Sequence, residues 1–212
     1  MKNERKKTQV IRIIGIVLVI MGIGIVSFAF GMRYYGEMKQ KNMMNNFEKS
    51  IANYKQEDNL ENKGSSNESQ TNTTPQDKEP DEGLGAIGII RIPKIDLKVA
   101  IGEGVDMNTL KYAVGHFPQT AMAGEKGNFC VAGHRSYTFS EYFNRLDEIN
   151  KGDEIYVKTR TGEYKYIVYE KKVVEPSEYS VLNSTEDATL TLITCTPIRV
   201  ATHRLIIKAR MQ

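Results

Sequence analysis

A chain of 212 residues has room for one domain of moderate size plus appendages. Its net charge of +3 comes with no basic stripe interleaved with aromatics, which sets nucleic acid aside. Two cysteines are too few for a disulfide framework or a structural zinc site, and no CxxC or HExxH spacing supports metal-dependent chemistry.

The charge is unevenly placed. Lys2, Arg5, Lys6, Lys7 and Arg12 crowd the N-terminus against Glu4 alone. Residues 13–32 (IIGIVLVIMGIGIVSFAFGM) then carry no charge, and as a helix rising about 1.5 Å per residue they span roughly 30 Å, the hydrocarbon thickness of a bilayer. The reading is an uncleaved transmembrane anchor. A signal peptide is the rival, but such cores run about 7–15 residues and end in an A-x-A-like site, which is missing here. The basic tail, residues 1–12, should stay in the cytoplasm and send the C-terminal bulk outside. Residues 33–54 are polar with scattered Met, Phe and Tyr, a pattern compatible with a helix continuing out of the membrane. Residues 57–83 hold no aromatic and no β-branched aliphatic residue, and eight acids against two bases. They bury too little apolar surface to offset their ordering entropy. Residues 33–83 together read as a polar linker, partly disordered.

From residue 84 onward short apolar runs alternate with turn residues. Strands are expected over 87–92, 95–101, 113–117, 128–132, 154–159, 164–174, 189–194 and 203–210. Eight of them imply an all-β domain over 84–212, a closed barrel or a sandwich. Short helices fit at 107–111, after Asp106, and around 140–146, where Ser140 can cap and Phe143 and Leu146 share a face. In 189–194 Leu192 and Ile193 are both apolar, which marks a strand buried on both faces.

Cys195 ends that buried strand, directly before Thr196-Pro197, and so emerges at the rim of the sheet, where reactive groups are displayed. A thiol becomes a useful nucleophile near neutral pH when a histidine or a cation lies beside it. The competing reading is a Cys130–Cys195 disulfide, natural for an exported domain, in a membrane-tethered module with no enzymatic role. If strands 128–132 and 189–194 lie parallel with His134 and Cys195 at their C-terminal ends, Cys130 sits four residues back. That is roughly 13 Å at about 3.3 Å per residue, whereas a disulfide needs Cα atoms within about 7 Å. Of the three histidines, His116 falls mid-strand and reads as a surface or half-buried polar residue. His203 neighbours Arg204, so the two point to opposite faces. His134, between Gly133 and an irregular stretch, has the setting of a proton shuttle. Arg204 opens an apolar strand and suits an oxyanion or substrate clamp, with Arg199 as its competitor in the preceding loop.

Thr191-Leu192-Ile193-Thr194-Cys195 resembles the TLxTC signature of sortases, the transpeptidases that attach proteins to the Gram-positive cell wall. Ala132-Gly133-His134 looks like that family's histidine segment, and Arg204 falls where its arginine belongs. The resemblance implies an eight-stranded barrel with Cys195 as nucleophile, His134 as general acid and base, and Arg204 as stabiliser of oxyanion and substrate. The implied substrates are surface proteins ending in an LPXTG-like signal, cut between Thr and Gly and passed to an amino group of peptidoglycan. Cys195-Thr196-Pro197 and the nine-residue gap to Arg204 look most like class D. Pilin-polymerising sortases carry an Asp-Pro-aromatic lid; the tether has Glu79-Pro80-Asp81 instead, and no second hydrophobic span follows Arg210, so pilin polymerisation stands as the alternative. No cofactor is required. The acids Glu175, Glu178, Glu186 and Asp187 of the loop over 175–188 suggest calcium, as in some relatives, but a solvated loop is the preferred reading.

Overall fold

The computed structural model describes residues 2–61, 85–135 and 142–212, with the side chains of the long N-terminal helix described from Arg12 to Asn53. Eight strands close into a barrel: β1 (Ala86–Ile92), β2 (Leu97–Glu103), β3 (Val114–His116), β4 (Gly127–Ala132), β5 (Glu154–Lys158), β6 (Glu163–Val174), β7 (Ala188–Thr196) and β8 (His203–Met211). Their order around the barrel is β1-β2-β3-β4-β7-β8-β6-β5. All eight expected strands are present, and closure leaves no unpaired edge. The second starts later than its apolar run because Pro93–Ile95 form a 3-10 turn ended by Asp96 at φ 52°.

The period of two sorts the side chains. Phe129 and Val131 of β4, Leu190 and Leu192 of β7, and Leu205 and Ile207 of β8 fill the interior. Phe143, Leu146 and Ile149 join them, each fully buried and each contributing about 1.5–3 kcal/mol by that burial. β7 is buried from Thr189 to Thr194, as its two-faced apolar pattern implied.

Two short helical segments were expected. α2 (Met107–Tyr112) forms, with the Asp106 carboxylate accepting from the backbone N–H of Asn108 and Thr109 at 2.9 and 3.2 Å. The helix expected over 140–146 does not form in its described part: residues 142–145 are turns and Leu146–Glu148 is a 3-10 helix. The carbonyl of Asn144 is committed to the Arg135 guanidinium at 3.3 Å rather than to a helical N–H. Ser140, its expected cap, lies outside the described residues.

The N-terminal helix α1 (Lys2–Glu61) is continuous over 60 residues. Its apolar part is long and apolar enough to cross a membrane by length and composition, and its side chains from Arg12 to Tyr35 are exposed. Further on, α1 runs through residues 33–54, whose pattern was compatible with a helix, to Glu61, and it docks on the barrel. Met43, Phe47 and Ile51 recur every four residues and so share one face. Met43 packs on Ala100 and Ala113, and Phe47 and Ile51 pack on Ile89. Gln40 donates to the carbonyl of Lys98 at 3.3 Å, and Lys98 pairs with Glu48 at 3.2 Å. Residues 62–84, which include the rest of that linker, lie outside the described residues.

Candidate active site

β4 and β7 run parallel in register from Gly127↔Ala188 to Ala132↔Ile193. Two residues past that last pair the chains carry His134 and Cys195, level with one another at the same rim. β7 and β8 run antiparallel, and their register sets Cys195 directly opposite Arg204, a position at which Cβ atoms stand about 4.5–5.5 Å apart. Alternation fixes which way these groups face. Phe129, Val131, Leu192 and Leu205 point inward, so the residues of opposite parity, His134, Cys195 and Arg204, all fall on the outer face. Inward of Cys195 on that face, Ile193 and Ile206 form an apolar floor with Val181 from the β6–β7 loop. The three residues singled out from sequence therefore converge.

The Arg204 guanidinium donates from Nη1 to the carbonyls of Ala201 and His203 at 3.3 and 3.0 Å, which steadies its fork. Arg199 sits in the β7–β8 connection with φ 69°. His203 turns the other way, to Glu175 at 3.1 Å and Thr202 at 2.9 Å. His116 departs from the half-exposed position expected of it. It is 1% exposed, held by the Glu103 carboxylate at 3.0 Å, the carbonyl of Ala121 at 3.2 Å and the Thr120 hydroxyl at 3.1 Å. It stacks near Phe129 with ring centroids 5.0 Å apart. Both competing histidines are thus occupied elsewhere.

Both cysteines are free, which overturns the Cys130–Cys195 disulfide and the stapled module built on it. Cys130 pairs in register with Thr191, four residues before Cys195. It is fully buried, and burial pushes its thiol up to about 12, far from any reactive thiolate. Cys195 is only partly buried.

Three supporting residues escaped sequence reasoning. Thr194, pointing inward, donates its hydroxyl to the carbonyl of Gly133 at 2.8 Å and so ties the cysteine strand to the histidine strand. Arg135 does the same one step further out, donating to the Thr196 hydroxyl at 2.7 Å. Asn128, buried on the outer face of β4, donates to the carbonyls of Val181 and Asn183 at 2.9 and 3.0 Å and accepts from Thr191 at 2.6 Å. It anchors the β6–β7 loop beside the apolar floor. An asparagine within an otherwise apolar strand is a readable signal of such a partner; the other two give none. Three of the four acids of that loop have separate partners: Glu175 pairs with His203, Glu178 with Ser180, and Asp187 with Arg210 at 3.1 Å.

Comparison with known proteins bears on this arrangement. A family model described as the sortase domain matches residues 90–212. Sortase A of Listeria monocytogenes is 32% identical over 120 residues, 57% of this chain and 54% of that protein. Sortase D of Bacillus subtilis is 33% identical over 132 residues, 59% of this chain and 64% of that protein. The chain thus spans less than two thirds of the length of these curated relatives. Among solved structures, a Clostridium perfringens Sortase D5 transpeptidase superposes with a TM-score of 0.65 at 31% identity, over 82% of this chain and 99% of that one. The family match begins at Ile90 in β1 and takes in every strand of the ladder on which Cys195 and Arg204 meet, and on that ground the chain belongs to the sortase family.

Proposed function

We propose that this chain is a membrane-anchored cysteine transpeptidase of the class D type. It cuts an LPXTG-like sorting signal between Thr and Gly and joins the new carboxyl end to an amino group of peptidoglycan. The observation that carries this reading is the register of β4, β7 and β8, which brings a free cysteine opposite an arginine and level with a histidine on one face. The Cys195 thiolate attacks the threonine carbonyl carbon, and the oxyanion that forms is held by the Arg204 guanidinium, a charge-assisted donor. The C–N bond to glycine breaks as the His134 imidazolium protonates the departing amine. An acyl-thioester on Cys195 remains. His134, now neutral, takes a proton from the incoming amine, which attacks the thioester and expels the thiolate, restoring both groups.

The apolar residues 13–32 anchor the chain, the basic residues 1–12 remain in the cytoplasm, and the barrel works outside the membrane. The partners are surface proteins bearing the signal and a cell-wall precursor amine. Residues 33–61 act as a helical stalk rather than a loose tether.

Incubating the protein with an LPXTG-like peptide, with and without an added amine, tests the reading by product analysis. An amide product that rises with amine concentration and vanishes in Cys195→Ala is expected. Hydrolysis alone would make it a thiol protease, transfer only when the added amine is a lysine-bearing pilin peptide would favour pilin polymerisation, and an intact peptide would overturn the enzyme.

A further inference from the structure

The β4–β7 ladder ends at Ala132↔Ile193, just short of the residues that matter. Past that point one backbone bond remains, from Gly133 N–H to the Ile193 carbonyl at 3.1 Å. The next two ties are made by side chains: Thr194 to the Gly133 carbonyl, then Arg135 to the Thr196 hydroxyl. Arg135 is 9% exposed. Besides Thr196 it donates to the Asn144 carbonyl at 3.3 Å and pairs with Asp147 at 2.7 Å. A guanidinium stays charged, and its planar fork fixes the directions of all three partners at once. By alternation Arg135 and Thr196 lie on the inner side of the two strand ends whose outer side carries His134 and Cys195.

Resting on the roles given above to His134 and Cys195, we infer that Arg135 is a positioning residue: it locks the residue after the histidine to the residue after the cysteine, and so sets the separation of imidazole and sulfur. A misplacement of about 1 Å between reacting groups costs on the order of 100-fold in rate, so a rim held only by backbone would be too loose.

Two substitutions separate this role from general stability. Thr196→Val removes the acceptor on the cysteine strand and leaves Arg135 its bonds to Asn144 and Asp147. Arg135→Lys keeps the charge but cannot span all three partners. The first readout is the pH profile of Cys195 alkylation by iodoacetamide, located by peptide mass spectrometry, which needs no substrate. The second is kcat and KM with an LPXTG-like peptide and an amine, alongside thermal unfolding. Expected are folded variants whose alkylation profiles move toward that of His134→Ala. Their kcat should fall about 10- to 100-fold with KM within about threefold, and the double variant should be little worse than either single. Wild-type alkylation profiles in the variants, losses that follow only the unfolded fraction, or losses that add would overturn the inference. Thr196→Val alone decides where Arg135→Lys fails to fold. A wild-type protein with a His134-dependent profile but no peptide turnover would sink the transpeptidase reading and leave the role of Arg135 intact.

Discussion

Two cysteines in one barrel sit in opposite surroundings because of where their strands stop. Cys130 lies mid-strand, fully buried, while Cys195 lies past the end of the parallel ladder. Iodoacetamide at neutral pH is therefore expected to label one thiol per chain, on Cys195, without prior reduction; label on Cys130 would contradict the burial argument. The same burial makes stability pH-dependent. The Cys130 thiol is raised to about 12 in the fold against about 8.5 unfolded, so its contribution is full below about 8.5 and is lost as pH rises toward the folded value. Burial raises Tyr166 in the same direction. The urea midpoint should accordingly fall between pH 8 and pH 10.5, and Cys130→Ala should narrow that fall. Arg204→Lys keeps a cation but loses the fork, so kcat should drop about 10- to 1000-fold with little change in KM, as steady-state kinetics will check.

At the scale of elements, the site is a consequence of register. Parallel pairing of β4 with β7 levels His134 with Cys195, and antiparallel pairing of β7 with β8 sets Arg204 across from the sulfur. That much was legible, because the alternation of apolar residues marks the strands and Cys195 and His134 stand where apolar runs break. What was not legible depends on partners far away in the chain. Arg135 draws its role from Asn144, Asp147 and Thr196, and His116 is buried by Glu103 and Thr120 closing over it; no local pattern encodes either. The segment over 140–146 had a helical face in Phe143 and Leu146, yet the pull of Arg135 on the Asn144 carbonyl outweighed so short a periodicity. Asn128 links β4 to the β6–β7 loop, so Asn128→Ala leaves the Val181 and Asn183 carbonyls and the Thr191 hydroxyl without their partner. A loss of about 2–4 kcal/mol is expected by chemical denaturation, with KM for the sorting peptide rising as the loop loosens.

On the scale of the whole molecule, α1 carries a stretch long and apolar enough to cross a membrane directly into a segment docked on the barrel. Its apolar stretch ends at Met32; three residues later the Tyr35 ring meets Tyr112 of α2 edge-on, centroids 6.4 Å apart, and Gln40 reaches the Lys98 carbonyl, about 12 Å beyond Met32 at 1.5 Å per residue. The stalk is thus short, and Met43, Phe47 and Ile51 hold the barrel against it. The sequence hid this contact because three apolar residues spaced four apart among charged ones look like a solvated helix until Ile89, Ala100 and Ala113 supply the opposing surface. In Phe47→Asp, hydrogen exchange of the full chain in detergent should quicken over residues 40–51 while β4 and β7 keep their protection; unchanged protection of the helix would contradict the docking. The convergence of Cys195, His134 and Arg204 is tested most directly by intact-mass spectrometry of the full chain mixed with an LPXTG-like peptide in the absence of amine. The mass should rise by the acyl portion of the peptide, on Cys195 alone, and return to its starting value when amine is added. A chain whose mass never changes, or an adduct that persists in Cys195→Ala, would contradict it.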